Sequence, residues 1–464
     1  MKPSEICFSS ISELGRMYRS KALSPVEATQ AVLERIHRLD GRLNAFITVL
    51  DEQAIAQARQ AEVELSAGHD RGPLHGVPVS LKDLIDTAGI RTTAASRIWR
   101  NRVPDRSATV AQRLDQAGAI LLGKCNLLEF AYGIVHPDYG QCNNAWEPGR
   151  TAGGSSSGSA SSVAAGMGWG SIGTDTGGSI RIPASYCGVV GLKPTYGRVS
   201  RHGIFPLSWS LDHAGTLTRT VEDAAILLGV IAGYDSLDPG SSNSPVPNYR
   251  SALTIDVRGL RLGVLEQHMS GSDLHAGVAE AAWKAVSELE KAGMVVKNIN
   301  LPSLPQADSA LLLAILPESA LVHENWLRKC PQDYAEMTRQ QLELGVLISA
   351  IDYLRAQQYR SRLLGELLSA FQEVDVLVNP TVAWEAPKED PTVAAGEGAA
   401  EARRTGPFNL TGLPAISLPC GLGEDGLPLG LQVIGAPFAE PTVLHVAHAY
   451  EQRAGWFNRH PTLD

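Results

Sequence analysis

Apolar positions in this chain follow two rhythms. In the first 65 residues they recur at helical spacing. Val32, Leu33, Ile36 and Leu39 fall on one face behind Ser24-Pro25-Val26-Glu27, a box whose serine and glutamate suit a helix start and whose proline suits its first turn. Residues 50–66, rich in Ala, Gln and Glu, read as a further helix. From Leu74 the apolar residues gather into short runs bounded by glycine. Val77 to Leu81 reads as a buried strand ending at Lys82 and Ala119 to Gly123 as another, with a helix over Thr109 to Ala117 between them.

Residues 151–200 are dominated by Gly, Ser and Ala, a composition that alone suggests low complexity. Ile172, Ile180, Ile182, Val189, Val190 and Leu192 interleave it at strand-like density, so the expectation is packed core with glycine permitting close backbone approach. Thr220-Val221-Glu222-Asp223 caps a helix, and 235–250 reads as a loop. A βαβ unit follows: strand 260–265, helix 278–292, strand 294–299. A helical pattern over 308–372 leads to a strand at 374–378, a polar surface loop at 383–404, strands at 414–419 and 430–434, and a helix over 441–454. Strands and helices alternate without a linker or an internal repeat. The predicted fold is α/β: a single large domain over 1–464, with a central, mostly parallel or mixed twisted sheet covered by helices on both faces.

The net charge of −9 argues against nucleic acid or an anionic membrane as the partner. Six scattered cysteines without CxxC spacing point to free thiols in a reducing compartment and to no metal site. Met-Lys-Pro-Ser-Glu is no signal peptide and no run of about 18 apolar residues occurs, so a cytoplasmic protein is expected.

Two motifs mislead. Gly168-Trp169-Gly170-Ser171-Ile172-Gly173 matches a dinucleotide fingerprint, but a helical stretch precedes it and no acid lies near 193. Gly154-Ser155-Ser156-Ser157-Gly158 matches a nucleophile elbow, but Trp146 to Arg150 before it is not a strand. A better constellation joins three segments. Gly153 to Ser159 offers hydroxyls on a glycine-rich bend, and Gly173 to Arg181 sets Ser179 directly after two glycines that leave backbone N–H groups open to a ligand. Lys82 ends an apolar strand. A serine nucleophile needs a base, and lysine serves as one only when desolvation lowers its pKa.

The segments Gly76–Asp83, Gly153–Ser159 and Gly173–Arg181 resemble the three signature blocks of the amidase signature family. Cys187–Thr195, Leu211–Gly215, Phe408–Ser417 and Gly430–Gly435 continue the likeness in order, so it covers nearly the whole chain and makes 74–220 the signature core. The resemblance implies a catalytic triad of Ser179 as nucleophile, Ser155 on a cis peptide as proton relay and Lys82 as base. It implies an oxyanion hole from the N–H groups of Thr176, Gly177, Gly178 and Ser179, with Asp175, Arg181 and Ser156 in support. Ser157 stands where the family usually has glycine, a departure expected to be tolerated.

The expected reaction is hydrolysis of the C–N bond of a small linear amide, an aryl or alkyl amide, carbamate or urea-like compound, through an acyl-enzyme and with no cofactor. The expected partner is that small molecule, and a homodimer is left open. One branch of the family, the A subunits of glutamyl-tRNA(Gln) amidotransferase, supplies the alternative: glutamine hydrolysis. An inactive scaffold is the non-enzyme reading, against which intact Lys82, Ser155 and Ser179 speak. In the A subunits an arginine and an aspartate hold the amino-acid end of glutamine. Arg360 matches the arginine, but Ala402-Arg403-Arg404-Thr405 has no acid where the aspartate belongs, which favours a stand-alone amidase. Substrate choice is assigned to 300–405 and to loops near Tyr132 and Trp209. Leu311 to Leu316, Trp326, Phe371 and Trp384 are the apolar candidates there.

Overall fold

The computed structural model describes residues 3–391 and 396–463. Residues 392–395, inside the predicted 383–404 loop, lie outside the described residues, as do Met1, Lys2 and Asp464. Eleven strands form one mixed sheet: β1 Phe46–Val49, β2 Pro78–Lys82, β3 Ile120–Cys125, β4 Gly170–Asp175, β5 Val190–Lys193, β6 His213–Thr218, β7 Arg261–Leu265, β8 Val295–Ile299, β9 Val376–Pro380, β10 Ala415–Leu422 and β11 Pro428–Ile434. Their order is β1-β3-β2-β4-β6-β5-β10-β11-β9-β7-β8. β2 pairs in parallel with β3 and β4, and β7 with β8 and β9; the remaining ladders are antiparallel. The sheet is therefore mixed rather than mostly parallel.

The two rhythms of the sequence become helices packed on strands. Helix Pro25–Leu43 starts on the Ser24–Glu27 capping box and buries Val32, Leu33, Ile36 and Leu39. β2 and β4 are buried along their whole length, as strands inside a sheet covered by helices must be. The βαβ unit forms through β7, helix Ala276–Lys291 and β8, with Arg261 opposite Val295. β10 and β11 make an antiparallel pair.

Several features differ from the sequence pattern, β6 among them, since His213–Thr218 carries no apolar run. β1 is missing from that pattern too, because four residues between two helices are too short for alternation to register. The long helical pattern after 308 is three helices, Ala307–Lys329, Glu336–Val346 and Ala350–Glu373, broken where Pro331 cannot continue a helix and again before the Ser349 cap. The polar loop contains a short helix, Glu397–Ala402. No described helix is long and apolar enough to cross a membrane, and no cluster of His, Cys, Asp or Glu suited to a metal ion occurs among the described residues.

Candidate active site

Lys82 ends β2, and Thr174 and Asp175 end β4. The strands run parallel, with Ser80 opposite Ser171 and Leu81 opposite Ile172, so their carboxyl ends emerge side by side. That is where α/β sheets present ligand-binding groups. The third contributor is the bend before helix Ser157–Ala164, which contains the cis peptide Gly154–Ser155. Gly173 allows its close approach, since a Cβ there would lie 2.8 Å from Ser156 Oγ.

The Lys82 side chain is wholly buried. Its Nζ is hydrogen-bonded to Ser155 Oγ at 2.7 Å, Ser156 Oγ at 3.0 Å and Thr174 Oγ1 at 2.9 Å. Burial drives its pKa well below the ordinary lysine value, and the nearby carboxylates of Asp175 and Asp212 only partly oppose that fall. Ser156 gives its own hydroxyl hydrogen to Thr174 O at 3.1 Å, so toward Lys82 it acts as an acceptor. Ser155 Oγ has no acceptor of its own among the described residues. Of these two serines, Ser155 is the one free to exchange a proton with a neutral lysine.

Ser179 lies half-buried at the turn between β4 and helix Arg181–Cys187, on the same cavity as Ser155. The Ser156 N–H donates to Ser179 O at 3.2 Å and joins the two glycine-rich segments. No described residue accepts a hydrogen bond from the N–H groups of Thr176, Gly177, Gly178 or Ser179, all of which line that cavity. Gly178 has φ +149°, and a Cβ on it would lie 2.3 Å from Thr405 Oγ1, so no other residue fits.

A buried ion pair brackets this loop. Arg181 donates to Asp175 from Nε at 3.0 Å and Nη2 at 2.9 Å, and its remaining hydrogens go to Thr405 O, Gln432 Oε1 and Asn409 Oδ1. Asp175 also accepts from the Ile180 N–H and from Asn409 Nδ2. Burial alone would raise Asp175, but the Arg181 charge and these hydrogen bonds more than offset it and hold the carboxyl below the usual range. Both groups are spent within the protein.

The cavity over Ser155 and Ser179 measures about 130 Å³. Leu311, Leu312 and Ile315 of helix Ala307–Lys329 form its apolar wall, with Tyr132 beside them. Asp390, Glu401 and Ala402 line the opposite segment, and Gln341 contributes a buried carboxamide with no partner among the described residues. No lysine or arginine occurs among the described lining residues.

The structure thus brings Lys82, Ser155 and Ser156 into contact, sets Ser179 and Thr176–Gly178 on one cavity, and pairs Asp175 with Arg181. Ser157 opens the helix with its hydroxyl 3.5 Å from Asn126 O, a site without conflict for a side chain. Arg360 is not on the cavity; its Nη2 donates to Ser210 O at 2.9 Å. Ala402 to Thr405 contains no acid, as the sequence reads, but Glu401, one residue earlier, and Asp390 do line the cavity. Burial lifts Glu401 to about 8 and Asp390 to about 6, and Tyr186 donates to Glu401 at 2.7 Å. Of the apolar candidates, only Leu311, Leu312 and Ile315 line the cavity. Trp326 joins an aromatic cluster with Trp99 and Phe130, while Phe371 and Trp384 pack on the core.

Sequence reasoning missed Thr174, Asp212, Gln341, Glu401 and Asp390. Asp212 was within reach, since it sits in the Leu211–Gly215 block; it accepts from Thr176 Oγ1 at 2.6 Å.

Comparison with known proteins agrees with this architecture. The Amidase family pattern matches residues 27–444. The A subunit of glutamyl-tRNA(Gln) amidotransferase from Moorella thermoacetica is 39% identical, over 99% of each chain. A chain from a vestigial complex bearing on the origins of an s-triazine catabolic enzyme superposes with a TM-score of 0.90 at 33% identity, covering 96% of this chain and 98% of that one. The peptide amidase of Stenotrophomonas maltophilia superposes with a TM-score of 0.85 at 33% identity, covering 98% and 99%. The curated relative carries the name of the alternative reading, not that of a stand-alone amidase. At the level these likenesses share, this chain belongs to the amidase signature family of hydrolases acting on carbon–nitrogen bonds.

Proposed function

We propose that the protein hydrolyses a small linear amide through a Ser179 acyl-enzyme. The observation that carries this reading is the buried, desolvated Lys82 hydrogen-bonded to Ser155 Oγ, on the same cavity as Ser179. Neutral Lys82 draws the proton of Ser155, which takes that of Ser179 as Oγ bonds to the substrate carbonyl carbon. The oxyanion meets the N–H groups of residues 176–179, donors without other duties among the described residues; losing one such donor typically costs about 2.7–4 kcal/mol of barrier. The proton returns through Ser155 to the nitrogen as the C–N bond breaks. Water then enters by the same route, releases the acid and restores Ser179. Asp175 and Arg181 hold the loop and touch no reacting atom.

The region 300–405 supplies the acyl wall, and Leu311, Leu312 and Ile315 favour an apolar acyl group. A second reading, glutamine hydrolysis as an amidotransferase component, is favoured by 39% identity over nearly the full length of such a chain. Against it, the α-carboxylate of glutamine meets no cation among the described lining residues, and Glu401, lifted to about 8, is mainly neutral at pH 7. In that reading the chain needs a further protein to act.

Incubation with an aryl carbamate, which leaves a stable carbamoyl group on an active serine, tests the nucleophile. Mass spectrometry should find that group on the peptide holding Ser179, and none in Ser179→Ala. Labelling elsewhere, or none, removes Ser179 from its role.

A further inference from the structure

A second chamber adjoins the catalytic cavity at Thr176. It measures about 540 Å³, some four times the catalytic cavity, and shares Ala131, Thr176 and Leu207 with it. Phe205, Trp209 and Tyr196 give it aromatic walls, while half-exposed Trp209 and exposed Leu237 stand at its rim. Arg201, which also lines it, is paired with Asp238 at 2.8 Å and brings no free charge.

One buried polar atom of its lining residues lacks a partner among the described residues. His213 Nδ1 lies 2.6 Å from Leu211 O and 3.3 Å from Asp175 O, both acceptors, so Nδ1 carries the hydrogen. Burial, aided by the Lys193 charge, keeps the ring neutral. Nε2 is then a bare acceptor on a residue 3% exposed that lines the chamber, unpaired among the described residues. A large apolar space with one such polar atom is the usual make-up of a site for an organic ligand.

We propose that this chamber receives the substituent on the substrate's leaving nitrogen, so that the preferred substrates are secondary amides of planar, apolar amines. This rests on the acyl-transfer reading above and adds the amine half. The shared wall at Thr176 sets the chamber beside the loop on which the carbonyl oxygen sits, while the acyl group faces Leu311 and Ile315. Cleavage transfers the Ser155 proton to the nitrogen, and the amine departs into the chamber. A primary amide, glutamine included, releases only ammonia and leaves this space unused.

The test uses the full chain with butyramide and butyranilide, which differ only in the nitrogen substituent. The anilide should show a kcat/KM at least ten-fold higher. Trp209→Ala, which removes an aromatic wall, and Leu237→Trp, which narrows the mouth from an exposed position, should each lower kcat/KM for the anilide at least ten-fold. The loss should fall mainly on KM, and butyramide should change less than two-fold. Hydrolysis of butyramide but not the anilide, or equal effects on both substrates, overturns the inference. Turnover of neither, or turnover that survives Ser179→Ala, overturns the acyl-transfer reading itself and this inference with it.

Discussion

The loop that carries Ser179 and the wall that faces it are built on opposite principles. In the loop every strong polar group is matched. Arg181 spends all five of its hydrogens and Asp175 is paired on both oxygens, while the N–H groups of residues 176–179 have no acceptor among the described residues. On the wall the matching is incomplete: Gln341 lacks a partner among the described residues, while Glu401 and Asp390 each accept a hydrogen bond, from Tyr186 and Thr151, and are raised by burial. A saturated frame fixes chemistry that is the same for any amide, whereas unsatisfied groups on a wall gain their partners from one particular ligand.

The largest effects should come from the proton path. Ser179→Ala and Lys82→Ala are each expected to lower kcat by on the order of 10³–10⁶, with circular dichroism unchanged. Breaking the frame instead should cost stability. Arg181→Met leaves Asp175 as an unpaired buried charge, so denaturant unfolding should report a loss of about 3–5 kcal/mol.

The pH profile sharpens the contrast. Lys82 acts when neutral and its pKa is lowered, so kcat/KM should rise with pH through a limb lying below the ordinary lysine range and fall as pH drops through it. A limb at the free lysine value contradicts burial as the activating force. The smallest effect belongs to the wall. Glu401 is raised from 4.5 to about 8, so the folded state holds its proton longer than the unfolded chain and this group costs stability progressively as pH climbs from 4.5 to 8. Glu401→Gln removes the penalty: its Tm advantage over the wild type should grow over that window, with activity at pH 7 altered less than about three-fold.

The same contrast decides what the sequence made legible. Lys82, Ser155 and Ser179 come from short segments whose glycines and hydroxyls carry the geometry with them, as Gly173 and Gly178 do through the Cβ they lack. β2 was foreseeable because Val77 to Leu81 is a short apolar run, whereas β4, Gly170–Asp175, is mostly small and polar and carries no such run. The wall draws Tyr132, Gln341, Asp390 and Glu401 from segments far apart in the chain, and no local pattern joins them. Arg360 looked like a substrate ligand by its neighbours in sequence, yet tertiary packing turned it to Ser210 O.

The most direct measurement is amide hydrolysis by the purified chain alone, with glutamine, butyramide and butyranilide side by side and Ser179→Ala as control. The account predicts turnover of the non-glutamine amides that disappears in the variant. Activity on glutamine only, or silence until a further protein is added, would contradict it and leave the amidotransferase reading in its place.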